Sequence, residues 1–337
     1  MKNIRRVAQW LLIVGCFWLA GCQSTPQANA LKTSAPTDIP RQKNLDGVPF
    51  YAQQEFYCGP TTLSEIFTYY GKPVSSEQIA PKLFIPERQG SLQLEMVSAT
   101  RQYGFLAYTG KGTLEQLFYS IEHDVPVIVF QNQSIAWLPM WHYAVVTGYD
   151  LDKQVIQLHT GLTESHTMSF ELFERLWQRG NYWYLMPLPP GLTHQDLDEF
   201  KYTSGAFDLL QTGQIDAGLT NLIAATQQWP NQWLAYFLIA NHFAESDNEQ
   251  ANRWFSKGWQ QGKYQTAYLN NYAYSLSKQG CGQQSKQLLE YALDKFPDAE
   301  LLKRSYVELT AHKTKSTETK TPETRSGVQC QLPSLVD

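Results

Sequence analysis

Two residues far apart in the chain could together do covalent chemistry. Cys58 stands in the run Gln53-Gln54-Glu55-Phe56-Tyr57-Cys58-Gly59-Pro60-Thr61-Thr62-Leu63. Pro60 suits a first helical turn, and Leu63, Ile66, Phe67 and Tyr70 recur at helical spacing, which predicts a helix starting near the cysteine. A thiol there feels the positive end of the helix dipole and unpaired backbone N–H groups, and both favour the nucleophilic thiolate. His142 opens Trp141-His142-Tyr143-Ala144-Val145-Val146-Thr147-Gly148-Tyr149-Asp150, which reads as a strand. A neutral imidazole brought beside the thiol takes its proton, and the imidazolium so formed stabilises the thiolate. The chemistry on offer is nucleophilic attack on a carbonyl.

Each residue also has a plainer reading. A free cysteine is often a buried structural thiol, but the Gly-Pro context at a helix start favours the nucleophile. His142 competes with His123, His159, His166, His194, His242 and His312, of which His194 and His312 lie in linkers, His242 in the helical region and His123 just before the strand at 125. Metal ligation finds no support, since the chain has no Cys-x-x-Cys and no His-Glu-x-x-His spacing, and no cofactor is expected.

The elements that must position the pair follow in order. Residues 48–51 read as a short extended segment before the cysteine helix. Ser75-Ser76-Glu77-Gln78 carries a capping signature into a short helix. Helices are predicted over 92–103 and 113–122, and the apolar run 125–130 reads as a central buried strand with Pro126 near its start. Residues 144–149 and 155–159 predict a hairpin around Asp150-Leu151-Asp152-Lys153, and 182–188 a strand that closes the sheet. The order suits an α+β domain.

The Gln-x-x-x-x-Cys-Gly-Pro run, a helix, and then a strand of the form His-Tyr-Ala-Val-Val resemble the C39-like peptidases, papain-fold cysteine peptidases related to the leader-processing peptidases of bacteriocin exporters. The resemblance covers residues 45–190. It implies an α+β papain-like cysteine peptidase domain with Cys58 as nucleophile, His142 as general base and Gln53 as oxyanion donor, Gln54 being the alternative one residue on. The family's usual aspartate is missing from its place, which here reads Leu158-His159-Thr160-Gly161. His159, the Thr160 hydroxyl or a backbone carbonyl is left to orient the base, and Asp150 lies on the hairpin turn, at the wrong end.

The flanking segments carry their own signals. Lys2, Arg5 and Arg6 precede an apolar run ending in Leu19-Ala20-Gly21-Cys22, which resembles the bacterial lipobox. That implies a lipoprotein signal peptide at 1–21, lipidation of Cys22, and a place in the cell envelope, on the outer membrane facing the periplasm. Residues 22–44 are rich in Ser, Thr, Pro, Ala and Gln and read as a flexible tether. From 196 to 311 the pattern is helical only. Tyr202, Ala206, Leu209, Gly213, Gly218, Leu222, Ala225 and Pro230 share their spacing with Leu269, Ala273, Leu276, Gly280, Ser285, Leu289, Ala292 and Pro297, with a less regular copy between. This resembles a tetratricopeptide-repeat domain, all-α, whose groove would take a protein partner or substrate. Residues 312–337 read as a disordered tail, and a Cys281–Cys330 pairing is left open.

With 27 Lys and Arg against 31 Asp and Glu, the net charge of −4 offers no basic footprint for nucleic acid. Two functions are consistent with these features: a lipid-anchored cysteine peptidase acting on a peptide or protein of the envelope, or a non-catalytic envelope scaffold on a degenerate peptidase domain.

Overall fold

A computed structural model describes residues 24–84, 90–135, 137–311 and 330–335. Cys22 and the lipobox lie outside them. The chain divides into two compact units, one ending at Pro187 and one beginning at Leu188, the latter also taking in Arg101–Leu106. Among the described residues no helix is long and apolar enough to cross a membrane.

The first unit runs α1 (Pro26–Thr33), β1 (Gln42–Asn44), α2 (Cys58–Tyr69), α3 (Ser76–Leu83), α4 (Gln93–Gln102), β2 (Leu106–Lys111), α5 (Leu114–Glu122), β3 (Val127–Asn132), β4 (Trp141–Asp150), β5 (Val155–Thr160), β6 (Thr163–Ser169), α6 (Phe170–Arg179) and β7 (Trp183–Leu188). Its sheet has the order β2-β7-β3-β4-β5-β6, with β1 on β4. The strand at 183–188 therefore does not close the sheet; β7 lies inside it, between β2 and β3. Two apolar faces explain why: Tyr184, Leu185 and Met186 in succession are without exposed surface, the signature of a strand covered on both sides.

The long central strand β4 organises the unit. Its first half pairs with β3 from Trp141↔Asn132 to Val146↔Val127, and its second half pairs with β5 from Val145 to Asp150. Beyond the β3 ladder, β1 pairs with Gly148, Tyr149 and Asp150. Gly148 leaves no room for a side chain, because a Cβ there would lie 2.9 Å from the Lys43 carbonyl oxygen of the paired strand β1. The helix α2 is buried along Leu63, Ile66 and Phe67, all without exposed surface, each contributing about 1.5–3 kcal/mol relative to exposure. Ser75 caps α3 in a capping box with Gln78, as its sequence indicates.

The tether reading of 22–44 does not hold for the described part. Ala28 and Leu31 are buried, and the first N–H groups of α1 are satisfied by a buried carboxylate: Gln27 N donates to Glu174 Oε1 at 3.1 Å and Ala28 N to Oε2 at 2.7 Å. A carboxylate at a helix N-terminus meets both unpaired donors and dipole. The composition suggested a tether because the partner, Glu174, lies on α6, nearly 150 residues away.

The second unit is helical: α7 (Glu199–Gln211), α8 (Ile215–Gln228), α9 (Leu234–Phe243), α10 (Asn248–Lys257), α11 (Trp259–Gly262), α12 (Thr266–Lys278), α13 (Gly282–Lys295) and α14 (Glu300–Ala311). Tyr202, Ala206, Leu209 and Leu222, and their counterparts Leu269, Ala273, Leu276 and Leu289, are all buried. Gly213 and Gly280 end α7 and α12 with φ of +81° and +93°, a conformation that glycine adopts without strain. The tail is not wholly free either. Cys330 is bonded to Cys281, Leu332 and Leu335 pack against the helical core, and Trp259 Nε1 donates to Ser334 O at 3.2 Å.

The disulfide closes a 49-residue separation, and on chain-entropy grounds its loss costs about 4 kcal/mol. Cys330→Ser should lower the urea midpoint of the second unit's helices, read by circular dichroism, whereas an unchanged midpoint would show that the tail adds nothing to this core.

Candidate active site

A cavity of about 790 Å³ is lined by Gln53, Gln54, Phe56, Cys58, Ser91, Leu92, Phe130, Met140, Trp141, His142, Tyr143 and Gly161 among others. It joins both halves of the proposed pair. Cys58 is the first residue of α2, half-buried and unpaired. His142 is the second residue of β4. Backbone N–H groups of Tyr143, Gly59 and Cys58 itself reach the sulfur, so the thiol lies against the first residues of β4.

The approach to Cys58 explains the spacing of the motif. Tyr57 N donates to Gln54 O at 3.1 Å, closing a turn through Glu55 and Phe56, and Phe56 takes a left-handed φ of 65°. Gln53 and Cys58 flank this four-residue turn. Gln53 N donates to Gly161 O at 3.0 Å, which fixes Gln53 against the β5–β6 turn. Its side-chain Nε2 is buried and has no hydrogen-bond partner among the described residues. Gln54, a corner of the turn, is exposed. Of the two glutamines, Gln53 is thus the one with a buried, unspent donor at the cavity. Gly59 is closely packed: a Cβ there would meet Ser91 Cβ at 2.9 Å, so a larger residue would have to displace Ser91.

The two candidates for an orienting residue part company. The β5–β6 ladder is irregular between Leu158 and Thr160, and such an irregularity re-aims neighbouring side chains. His159 is buried, with Nε2 on Val48 O at 3.1 Å and Nδ1 accepting from Ser165 N at 3.2 Å. Both of its nitrogens are occupied, which makes it a brace for the segment before Cys58. Thr160 Oγ1 lies 2.8 Å from His142 Nε2. With Nε2–H donating to the hydroxyl, Nδ1 carries the lone pair that a base needs. Asp150 accepts from the N–H groups of Asp152 and Lys153 in the hairpin turn, eight residues along β4 from His142, about 26 Å at strand rise.

Burial dominates the electrostatics. It pushes the Cys58 thiol above its ordinary range, and the N–H groups of Tyr143, Gly59 and Cys58 pull it back only in part. Burial also pushes His142 down to about 4. The helix start was expected to favour the thiolate; desolvation outweighs that pull. The resting pair is a neutral thiol and a neutral imidazole.

One buried acid was not anticipated. Glu65 of α2 has no exposed surface, accepts from Tyr51 N at 3.0 Å through Oε1, and is pushed up to about 8 by burial, against a smaller opposing effect of the Tyr51 N–H. The sequence carries little signal for it: the neighbours of Glu65 one turn away on α2 are Thr61, Thr62, Thr68 and Tyr69, a polar stripe on which a carboxylate does not stand out.

Comparison with known proteins bears on the class. Residues 45–182 match the Peptidase_C39 like family. This stretch is a C39-like peptidase domain, an antiparallel sheet with helices, and it spans less than half of the chain. No curated protein matches the chain. Among solved structures, a candidate C39-like peptidase from Bacillus anthracis is 18% identical, covering 43% of this chain and 96% of its own, with a TM-score of 0.36. The peptidase domain of Streptococcus ComA, a bi-functional ABC transporter of a quorum-sensing pathway, is 21% identical over 42% and 98%, with a TM-score of 0.34. A double glycine motif protease from an AMS/PCAT transporter, solved with its leader peptide, is 24% identical over 43% and 98%, with a TM-score of 0.33.

Between pH 4.5 and about 8 the unfolded chain ionises Glu65 while the folded chain keeps it protonated. Its contribution to stability therefore falls as pH rises through that window, by about 1.4 kcal/mol per pH unit. Urea unfolding of wild type and Glu65→Gln across this range should show a steeper decline in the wild type; parallel curves would mean that Glu65 ionises freely in the fold.

Proposed function

We propose that the chain is a cysteine peptidase, held to the cell envelope by a lipid on Cys22, that hydrolyses peptide or amide bonds of an envelope protein or peptide. The helical repeats of the second unit, read as tetratricopeptide repeats, recruit the substrate or a partner. The observation that carries the catalytic part is the convergence on one cavity of the Cys58 thiol, the His142 imidazole braced by Thr160, and the unspent Gln53 donor. The family match over 45–182 supports the same class. The anchor rests on Leu19-Ala20-Gly21-Cys22 and the basic residues before it.

The proton and the nucleophile move together. Cys58 Sγ attacks the substrate carbonyl carbon as its proton passes to His142 Nδ1, so the buried pair bears opposite charges only while the oxyanion forms. Thr160 holds the imidazole through Nε2–H, fixing ring and tautomer. Gln53 Nε2 and the Cys58 backbone N–H, one of the unpaired donors of the first turn of α2, hold the oxyanion. The carbon–nitrogen bond then breaks as His142 returns the proton to the departing amine, leaving a thioester on Cys58. Water, deprotonated by His142, attacks the thioester and releases the acid and the free thiol. Phe56, Leu92, Met140 and Trp141 give the cavity apolar walls, suited to apolar side chains beside the scissile bond.

The scaffold reading draws on the missing aspartate. A neutral hydroxyl stabilises an imidazolium less than a carboxylate does, but a thiol needs less help from its base than an alcohol.

With a fluorogenic peptide library as substrate, Cys58→Ala should abolish turnover and leave the melting curve intact, and His142→Ala should nearly abolish it. Gln53→Ala should cost about 10²–10³ in kcat, the usual loss for one oxyanion donor, against a small effect of Gln54→Ala. Thr160→Val should cost less than His142→Ala. A larger defect at Gln54 would move the donor by one residue. No turnover, together with no labelling of Cys58 by a thiol reagent, would favour the scaffold.

A further inference from the structure

The buried acid Glu65 takes no part in the chemistry just described. It lies seven residues after Cys58, two turns along the same stripe of α2. Its Oε1 accepts the backbone N–H of Tyr51 at 3.0 Å, and its Oε2 is buried without a partner among the described residues. Tyr51 lies two residues before Gln53.

Beside a local bond from Val48 N to Leu45 O and a long side-chain bond from the Tyr51 hydroxyl to Thr68, three hydrogen bonds hold the backbone of the segment 48–53 that carries Gln53 to its surroundings. His159 Nε2 donates to Val48 O at 3.1 Å, Tyr51 N donates to Glu65, and Gln53 N donates to Gly161 O at 3.0 Å. The first and last tie the segment to the end of β5 and the turn after it. Of the three, the Glu65 bond is the one that ties it to the helix bearing the nucleophile. Without it, the segment would keep its register on the sheet, and its link to α2 would rest on the long, exposed contact of the Tyr51 hydroxyl with Thr68 Oγ1 at 3.4 Å. A buried acceptor is also costly to install, since its unpaired oxygen gives up hydration without return. Leucine or methionine would fill the stripe without that cost but would leave the Tyr51 N–H without this acceptor.

We propose that Glu65 is a positioning residue that sets the Gln53 side-chain amide against the Cys58 thiol, so that its removal slows the steps that build an oxyanion and spares those that do not. The inference rests on reading Gln53 as the oxyanion donor. Burial that keeps the carboxyl protonated near neutrality is consistent with it, because the group required is a neutral acceptor, which a glutamine side chain also provides.

Two reagents separate this role from a general structural one, and neither needs the natural substrate. p-Nitrophenyl acetate acylates Cys58 through a tetrahedral oxyanion and expels p-nitrophenolate. Iodoacetamide alkylates the same sulfur by displacing iodide at saturated carbon, with no oxyanion. Both rates are measured on the full chain, with Cys58→Ala as the blank. Glu65→Leu should slow acylation about ten- to a hundredfold, as a misplacement of about an ångström does, and change alkylation by less than about twofold. Glu65→Gln should restore acylation. In a Gln53→Ala background, Glu65→Leu should cause no further loss, since coupled residues are not additive. Should Glu65→Leu fail to fold, Tyr51→Pro removes the donated N–H from the other side and should give the same pattern.

Equal slowing of both reactions, unchanged acylation, or full additivity with Gln53→Ala would overturn the proposal while leaving Cys58 as nucleophile. Wild-type acylation in Gln53→Ala would overturn it along with the oxyanion assignment. Failure of both reagents to modify Cys58 would overturn the nucleophile reading and this proposal with it.

Discussion

Desolvation of the Cys58 thiol is the constraint on which the rest of the site depends. The thiol, half-buried at the start of α2, lies against the first residues of β4, where leaving water costs the charged form more than three backbone N–H groups return. His142 is subject to the same force in the opposite direction. A pair that rests neutral is protected from carrying buried charge while idle, and it moves its proton when an oxyanion is forming to balance it. Under the proposed mechanism the donors for that oxyanion have to be in place beforehand, and the candidates to supply them, Gln53 and the start of α2, flank the turn at residues 54–57.

The neutral orienting group belongs to the same balance. A carboxylate beside His142 would raise the imidazole's proton affinity and favour a standing ion pair. Thr160 fixes the ring without that charge. His159, its neighbour, turns the other way to brace Val48. Consecutive residues of a strand face opposite sides, so the end of β5 offers one side chain to His142 and the other to the segment before Cys58. The surrounding sheet is stiff for ordinary reasons: β3 and β4 pair throughout the stretch opposite His142, and Val127, Ile128, Val129, Ala144 and Val145 are without exposed surface.

Much of this was legible in the chain. The α2 start, the β4 strand, the β4–β5 hairpin and the Ser75 capping box follow from local spacing and turn chemistry, and the structure places them within a few residues of expectation. Cys58, His142 and Gln53 could be named from motif context, and the structure brings all three to one cavity. What escaped depended on distant partners. α1 was invisible because its N-terminal donors are met by Glu174. β6, Thr-Glu-Ser-His-Thr-Met-Ser, is a polar edge strand with little alternation to detect. β2 and α6 went unnoticed between stronger signals. The docking of residues 330–335 needs Cys281 and the helical core to define it. The choice of Thr160 over His159 turns on which face of β5 each side chain takes beside distant partners, His142 and Val48, which no local pattern of residue types displays.

The most direct measurement is a crystal structure of the chain with a peptide aldehyde bound. The expected adduct is a hemithioacetal on Cys58 Sγ whose oxygen lies about 2.7–3.1 Å from both Gln53 Nε2 and the Cys58 backbone N–H, with His142 Nδ1 facing the sulfur and Nε2 still on Thr160. An adduct whose oxygen points away from Gln53, or an unmodified Cys58 at saturating aldehyde, would contradict it.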